Sequence, residues 1–122
     1  MSAHDRVKVL DADSGPGVDL VAEGGSARAV VWPGVGAELR SMQRISLGPS
    51  GRTRCLRHPG EAVYYVISGS GSVRDETATE GLVEGSMIHV EPGTEYEVAA
   101  GPDGIELVGG PCPADPALYG GA

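Results

Sequence analysis

Glycine and proline interrupt this chain so often that it cannot form long helices. The sequence contains 20 glycines and 9 prolines, and it has no phenylalanine. Both residues are unfavourable inside a helix, glycine because its backbone is too free and proline because it lacks an amide donor and clashes with the preceding turn. The runs between these breaks are short and rich in valine, isoleucine and tyrosine. The chain is therefore predicted to consist of short β-strands joined by many turns.

The spacing of these runs predicts a closed all-β structure. Turn signals recur at intervals of about eight to twelve residues, which is typical of β-sandwiches and β-barrels. The tetrapeptide SGSG at 68–71 is predicted to be a hairpin turn. The predicted strands are residues 6–10, 18–22, 27–32, 38–47, 53–58, 62–67, 72–76, 86–91, 95–99 and 104–108.

The length of the chain predicts a single domain. A chain of 122 residues buries about two thirds of its unfolded surface around one core. We expect the barrel to span residues 1–110. Residues 111–122, PCPADPALYGGA, are rich in proline and glycine and are predicted to be a tail that lies over the surface or frays.

The charge of the chain disfavours two classes of partner. The 17 acidic and 9 basic side chains give a net charge of -8 and an isoelectric point near 4.7. Such a surface repels phosphate backbones and anionic lipid, so we expect neither a nucleic-acid partner nor membrane association. The sequence shows no membrane-spanning apolar stretch and no secretory signal pattern, which predicts a cytoplasmic location. The preference for arginine over lysine, with much alanine, glycine and valine, indicates a GC-rich bacterial genome.

The two cysteines, Cys55 and Cys112, are too few for a disulfide framework. A reducing compartment would keep them as thiols, although a single bridge between them stays open. Cys55 is out of register with Leu56 and His58, so we do not expect it to be a catalytic thiol.

Alternation along the strands assigns side chains to the barrel interior, because successive residues of a strand point to opposite faces. The segment 95–99 places Tyr96 inward and its neighbouring glutamates outward. The inward residues predicted for 38–58 are Leu39, Ser41, Gln43, Ile45, Leu47, Leu56 and His58.

Residues 62–67, AVYYVI, are apolar on both faces. Tyr64 is in register with Ala62 and Val66 and is predicted to belong to the core. A strand of this kind has both faces covered, and the second face is covered either by another sheet or by another subunit. This pattern predicts a homodimer.

Two segments, in this order, resemble the motifs of the cupin family of small jelly-roll barrels. In the first, His58 matches the second histidine of the family motif, and the strand and turn YYVISGSG match the part that closes at Gly69. In the second, EGSMIHVEPGTEY matches from Gly85 through the Pro-Gly-Thr corner at 92–94. The resemblance covers about residues 38–108. It implies a double-stranded β-helix with a ligand pocket inside the barrel.

The metal ligands of the family are mostly replaced in this chain. Leu56 stands at the first histidine position, Ala62 at the glutamate position and Tyr96 at the histidine position of the second motif, which leaves His58. Glu61 stands one residue early and would need a bulge to turn inward. A divalent ion normally takes three or four histidine or carboxylate ligands, so we predict no bound metal. If a metal is present, we expect iron, zinc, manganese or nickel on His58 and Glu61.

His58 and Tyr96 are the predicted catalytic residues. Histidine is the side chain most used for proton transfer near neutral pH, and a buried phenol needs a hydrogen-bond partner in a ligand or in the protein. A structural role within the sheet or at the surface is the alternative for each candidate. The residues predicted to contact a substrate are Ser41, Gln43, Leu56, Glu61, Tyr64 and His89.

Three hypotheses about function are compatible with these residues. The first is an enzyme of small-molecule metabolism, an isomerase or cyclase that moves protons, with a metal-dependent oxygenase of unusual ligands as a variant. The second is a non-catalytic barrel that binds a small organic molecule as a sensor or carrier. The third is a purely structural homodimer. A hydrogen bond between His58 and Tyr96 would favour catalysis, whereas a uniformly apolar cavity would favour binding.

Overall fold

Six antiparallel strands carry the fold in the computed structural model, which describes residues 6–119. The strands are β1 (Val21–Val31), β2 (Met42–Thr53), β3 (Glu61–Arg74), β4 (Thr79–Leu82), β5 (Met87–Val90) and β6 (Glu97–Cys112). Two single-turn 3₁₀ helices, Pro33–Val35 and Pro116–Leu118, complete the regular structure. The all-β prediction is confirmed. Within residues 6–119, no helix is long and apolar enough to cross a bilayer.

The long strands β3 and β6 organise the sheet, whose order is β1-β2-β6-β3-β4. β3 pairs with β6 along one edge, whereas its other edge pairs with β5 near its start and with β4 near its end. A separate bridge joins Leu56 and Tyr96 through backbone hydrogen bonds of 2.7 and 2.8 Å. This bridge brings the segment after β2 against the segment before β6, where the candidate catalytic residues lie.

The strands are fewer and longer than the sequence predicts. The predicted strands 18–22 and 27–32 are replaced by the single strand β1, and 95–99 and 104–108 both belong to the segment that ends in β6. Residues 6–10 form no strand. Glycines within a strand permit irregular pairing without ending the strand, and the register shifts seen in β1 and β6 are of this kind.

The predicted hairpin turn at 68–71 is wrong. β3 continues through these residues to Arg74, with a register shift where Gly69 adopts a φ of +84°. The chain reverses at 75–78, where the Asp75 carboxylate accepts hydrogen bonds from the amides of Thr77 and Ala78 at 2.8 and 2.9 Å. An aspartate whose side chain accepts a hydrogen bond from the backbone two residues ahead stabilises a turn. The SGSG segment has no such side chain and continues as a strand.

Inward side chains follow the predicted alternation over most of the barrel. Ser41, Gln43, Ile45 and Leu47 are all buried. Leu39 is an exception, because β2 begins only at Met42 and the Leu39 side chain is 74% exposed. The core also contains Tyr64, Val66, Val98, Ile105 and Leu107, from β3 and β6.

The described part of the tail is packed against the barrel. β6 runs to Cys112, past the predicted end of the domain at residue 110, and Leu118 belongs to the hydrophobic core with 4% exposure. Residues 113–119 therefore do not fray. Residues 120–122 lie outside the described residues, and the division of the chain at residue 110 stays a prediction.

We predict that Leu118→Ala lowers the free energy of unfolding by about 2–4 kcal/mol, because it leaves a cavity where the tail meets the core. Leu39→Ala is the matched control, since it removes the same atoms from an exposed side chain and should change stability by less than about 0.5 kcal/mol. Urea unfolding followed by circular dichroism measures both. Equal stability of the two variants would show that the tail does not contribute to the core.

Candidate active site

A line of polar side chains crosses the otherwise apolar interior of the barrel. His58, Tyr64, Tyr96 and Asp115 are all buried, with His58 only 3% exposed. Their positions come from different elements: β3 supplies Tyr64, and the bridge beside Leu56 supplies both His58 and Tyr96. The His58 carbonyl also accepts a hydrogen bond of 2.8 Å from the amide of Gly93. The backbone thus holds the imidazole and the phenol on adjacent segments.

Hydrogen bonds connect the four side chains into one chain, which we call the relay (Asp115, His58, Tyr96 and Tyr64). The Nδ1 atom of His58 lies 2.7 Å from Oδ2 of Asp115, and its Nε2 atom lies 2.7 Å from Oη of Tyr96. The hydroxyls of Tyr96 and Tyr64 are 2.6 Å apart. A carboxylate oxygen accepts, so Nδ1 donates to Asp115, and in the neutral imidazole Nε2 then accepts from Tyr96. The Tyr96 oxygen then accepts from the hydroxyl of Tyr64.

Burial keeps both phenols of the relay protonated. Burial raises the pKa of Tyr64 to about 12, although its hydrogen bond with Tyr96 acts in the opposite direction. Burial also raises the pKa of Tyr96, and the neighbouring Tyr64 and Asp115 raise it further. A phenolate in this site lacks solvation, so both tyrosines act as hydrogen-bond donors in the resting protein.

The tail supplies a carboxylate that sequence reasoning missed. Asp115 precedes the 3₁₀ helix Pro116–Leu118, and its Oδ1 atom accepts a hydrogen bond of 3.0 Å from the Ala117 amide. Its other oxygen is thereby free to bind His58. The Asp-Pro pair in the sequence is a signal for such a cap, but it does not indicate which side chain the carboxylate meets.

Tyr119 is the second residue that the sequence did not single out. Its hydroxyl donates to Oε1 of Gln43 at 2.7 Å, and its ring lies 5.2 Å from the ring of Trp32. Gln43 in turn donates to the carbonyl of Gly109 at 3.4 Å. The tail is therefore attached to the barrel through a second buried polar contact.

Three other candidates lie inside the barrel as predicted, but their polar groups are engaged within the protein. Ser41 donates to the carbonyl of Pro111, Gln43 bonds to Tyr119 and Gly109, and Leu56 packs in the core. These contacts fit the structural alternative, and the substrate-binding role of Ser41, Gln43 and Leu56 stays a prediction.

Glu61 and His89 lie on the outer face of the sheet. Ala62 and Tyr64 point inward on β3, as Ile88 and Val90 do on β5, so the residues between them point outward. The Glu61 and His89 side chains are 55% and 56% exposed, and their Oε1 and Nε2 atoms are 3.7 Å apart. The bulge required to turn Glu61 toward His58 does not form, so Glu61 and His58 do not make a joint site.

The residues at the family's ligand positions do not fit a metal ion. Leu56 and Ala62 provide no donor atom, and Tyr96 is held as a protonated phenol. Both ring nitrogens of His58 already bind side chains at 2.7 Å. Within residues 6–119, no three histidine, cysteine, aspartate or glutamate side chains are grouped closely enough to hold a metal. A stable site normally needs three or four such ligands.

Tyr96 links the relay to an open cavity of about 450 Å³, which we call the mouth cavity. It lies between the β3–β4 hairpin, β5 and the residues that precede β6, and its apolar wall includes Val73, Ile88 and Val90. A volume of a few hundred Å³ suits a small organic molecule. His58 and Asp115 instead border a separate cleft of about 150 Å³ beside residues 54–57. Of the relay residues, Tyr96 is thus the one placed to meet a ligand in the mouth cavity.

Comparison with known proteins gives structural relatives only. The sequence matches no protein-family model and no curated protein. A cupin-like protein from Thermotoga maritima superposes with a TM-score of 0.71 at 19% identity, over 86% of this chain and 80% of that one. An RmlC-like cupin from Shewanella frigidimarina has a TM-score of 0.69 at 18% identity, over 88% and 93% of the two chains. The polyketide cyclase RemF from Streptomyces resistomycificus has a TM-score of 0.64 at 21% identity, over 100% and 93%.

These relatives resemble the present chain in backbone and have different sequences. Identities near 20% carry no information about substrate or reaction. The strand order, the closing bridge and these three superpositions together show that the protein has the cupin fold, the jelly-roll barrel or double-stranded β-helix indicated by its two sequence motifs.

Proposed function

We propose that the protein is an enzyme that binds a small organic molecule in the mouth cavity and moves a proton on it, as an isomerase or a cyclase does. The observation that carries the proposal is the position of His58, buried between a carboxylate and a phenol at 2.7 Å from each. Carboxylate, imidazole and hydroxyl in this order form a unit that orients and activates the hydroxyl group. Tyr96 bears that hydroxyl, and this residue is among those that line the cavity.

The relay accounts for proton transfer without a free phenolate. Because Asp115 holds the hydrogen on Nδ1, the Nε2 atom of His58 is free to take the proton of Tyr96. The Tyr96 oxygen takes a proton from an acidic C–H bond of the substrate in the same step. The products are a substrate enolate and an imidazolium that lies against Asp115. Reverse transfer to a different atom of the substrate completes an isomerisation and restores the enzyme.

Tyr64 stabilises the step by donating to the oxygen of Tyr96, on which negative charge develops. A donor already in place costs no reorganisation during the reaction. The polyketide cyclase RemF aligns with the whole of this chain at 21% identity. It supports the proposal as an example of a protein with this fold that is named as a cyclase. The cytoplasmic location and the bacterial origin inferred from the sequence stay predictions.

A non-catalytic binding protein is the second candidate, and one observation favours it. Tyr64, Val66 and Leu107 fill the interior of the barrel, and Ser41 and Gln43 bond within the protein. A barrel of this kind leaves the mouth cavity as a binding site and uses the relay only to hold the tail. Loss of the relay would then change stability but no reaction.

We predict that His58→Ala and Tyr96→Phe each lower proton exchange of a bound substrate by about 100-fold or more. The reaction is measured by NMR as incorporation of deuterium from D2O into a series of small enolisable ketones. The ketone that exchanges fastest with the wild-type protein is then used to compare the variants. Tyr65→Phe is the matched control for Tyr96→Phe, because it removes a phenol hydroxyl from a β3 residue that faces outward. Exchange that is undiminished in His58→Ala would exclude the relay from the mechanism. Circular dichroism and urea unfolding establish that each variant is folded.

We also propose that this chemistry uses no bound metal. Protein purified without chelator and then dialysed should contain well under one equivalent of iron, zinc, manganese or nickel per chain by elemental analysis. Removal of trace metal with EDTA should leave deuterium exchange unchanged, because Leu56 and Ala62 offer no ligand atom and Tyr96 is held as a protonated phenol. Retention of one equivalent of metal, with activity lost on EDTA treatment, would contradict the proposal.

A second copy of the chain is the proposed occupant of the outer face of β3. Met42, Val63, Tyr65 and Met87 are 36%, 40%, 42% and 68% exposed. They line one groove of about 510 Å³. In the sheet, Tyr65 lies opposite Met87 on one side and Val108 on the other, so the apolar surface is continuous across three strands.

The charges around this groove are complementary under two-fold symmetry. Arg40 and Glu61 both line it, from the segment before β2 and from the start of β3. In a symmetric dimer, Arg40 of one subunit pairs with Glu61 of the other when the two-fold axis passes between these two side chains. Burial of the exposed apolar side chains then supplies the main driving force.

We predict that the protein is a dimer in solution and that Tyr65→Lys makes it a monomer, because an ammonium group would be buried against apolar residues. Sedimentation equilibrium measures the change, with an expected loss of dimer affinity of at least about 100-fold. Val83→Lys is the control, since Val83 is exposed in the turn before β5, away from the groove. A monomeric wild-type protein at high micromolar concentration would rule out the dimer.

A further inference from the structure

The mouth cavity is lined by aliphatic side chains and by charged side chains, which we call its rim, and the two groups differ in what they select. Val73, Ile88 and Val90 give the interior an aliphatic surface next to the Tyr96 ring. These groups accept any small organic molecule with an apolar body. Discrimination among such molecules therefore depends on the rim.

Three carboxylates stand at the rim: Asp75 in the β3–β4 turn, Glu80 on β4 and Glu91 after β5. All three are exposed, and among residues 6–119 none of them forms an ion pair with a basic side chain. Hydrogen bonds from the amides of Thr77 and Ala78 lower the pKa of Asp75, which keeps this group ionised. The rim thus carries three uncompensated negative charges.

The basic side chains of the rim do not cancel this charge. Arg74 binds Glu97 through its Nε and NH2 nitrogens at 3.0 and 2.8 Å. His89 lies 3.7 Å from Glu61 on the outer side of β5. Arg52 also lies 3.6 Å from Glu97, so Arg74 shares this carboxylate, and His89 faces Glu61. Both basic groups of the rim therefore already have an acidic partner.

An anion that enters the cavity meets repulsion from several directions. The three rim carboxylates line the cavity, and Asp115 lies behind His58 at the far end of the relay. Because charges of one sign act together over a cavity with apolar walls, their effect on a charged ligand exceeds that of a single pair. This field does not repel a neutral molecule, and it attracts a cation.

We propose that Asp75, Glu80 and Glu91 are specificity-determining residues that restrict the substrate to uncharged or cationic small molecules and exclude carboxylates and phosphates. The inference deepens the proposed function, since it assumes that the mouth cavity is the substrate site. It narrows the substrate of the proton-transfer reaction to a neutral or cationic carbonyl compound.

Three probes with the same ring and different charge test the inference: 2-naphthylmethanol, 2-naphthoate and 2-naphthylmethylammonium. Binding is measured at low salt by NMR on protein with labelled isoleucine and valine methyl groups, so that shifts at Ile88 and Val90 identify the mouth cavity. We expect 2-naphthoate to bind about tenfold more weakly than the alcohol, and the ammonium probe to bind at least as tightly. High salt should reduce these differences, because it screens exposed charges.

Variants of the rim provide the decisive comparison. The triple variant Asp75→Asn, Glu80→Gln, Glu91→Gln should bind 2-naphthoate about as well as the alcohol. The control variant Asp13→Asn, Glu38→Gln, Asp103→Asn removes the same total charge from exposed positions outside the cavity and should preserve the wild-type order.

Equal or tighter binding of 2-naphthoate by the wild-type protein would overturn the inference, as would an equal effect of the two triple variants. Failure of all three probes to shift Ile88 and Val90 would also overturn it, because the cavity would then not be a ligand site. These measurements need no turnover. If the charge order holds while His58→Ala retains full activity, the proposed reaction fails and the charge selection stands.

Discussion

The hydrogen bonds on both nitrogens of His58 hold together the parts of the structure on which function depends. A buried imidazole with an unsatisfied nitrogen is costly, since the interior offers no water to replace the lost partner. In this protein one nitrogen binds Asp115 of the tail and the other binds Tyr96 beside β6. The contact with Asp115 therefore holds the C-terminal segment against the barrel and keeps a hydrogen on Nδ1. The contact with Tyr96 positions the phenol next to the mouth cavity.

The barrel shows how a fold keeps its geometry while its chemistry changes. The inward positions next to the closing bridge bear Leu56, Ala62 and Tyr96, which offer an ion almost nothing, and His58 is satisfied by side chains of the protein. The proposed site therefore relies on the donors and acceptors of the protein itself. The consequence is a site suited to moving protons, because phenol, imidazole and carboxylate differ in acidity and are connected in a line.

Two surfaces outside the barrel interior have different proposed roles, one in dimer assembly and the other in the selection of substrates. The apolar outer face of β3 bears Val63 and Tyr65 and is suited to association between copies. The mouth cavity is bordered by carboxylates such as Glu80 and Glu91, which form no ion pair within residues 6–119, and it is the proposed ligand site. β5 contributes to both surfaces, since Met87 lies in the outer groove and Ile88 lines the cavity. Alternation along one short strand thus connects the proposed dimer interface with the proposed substrate site.

The sequence by itself determined the strand class, the fold and the inward positions of Ser41, Gln43, Leu56, His58, Tyr64 and Tyr96, because these depend on turn residues and on a period of two that local order dictates. It did not reveal that β3 passes through SGSG, since pairing with a neighbouring strand decides whether a glycine bends a strand or ends it. It also left Glu61 in doubt, because the bulge that would turn this side chain inward depends on the register with β5. Only the tertiary structure placed Asp115 on His58 and Tyr119 on Gln43, contacts that join residues 57 and 76 positions apart. Such partners are chosen by the packing of the tail in three dimensions, and no local pattern in the sequence encodes them.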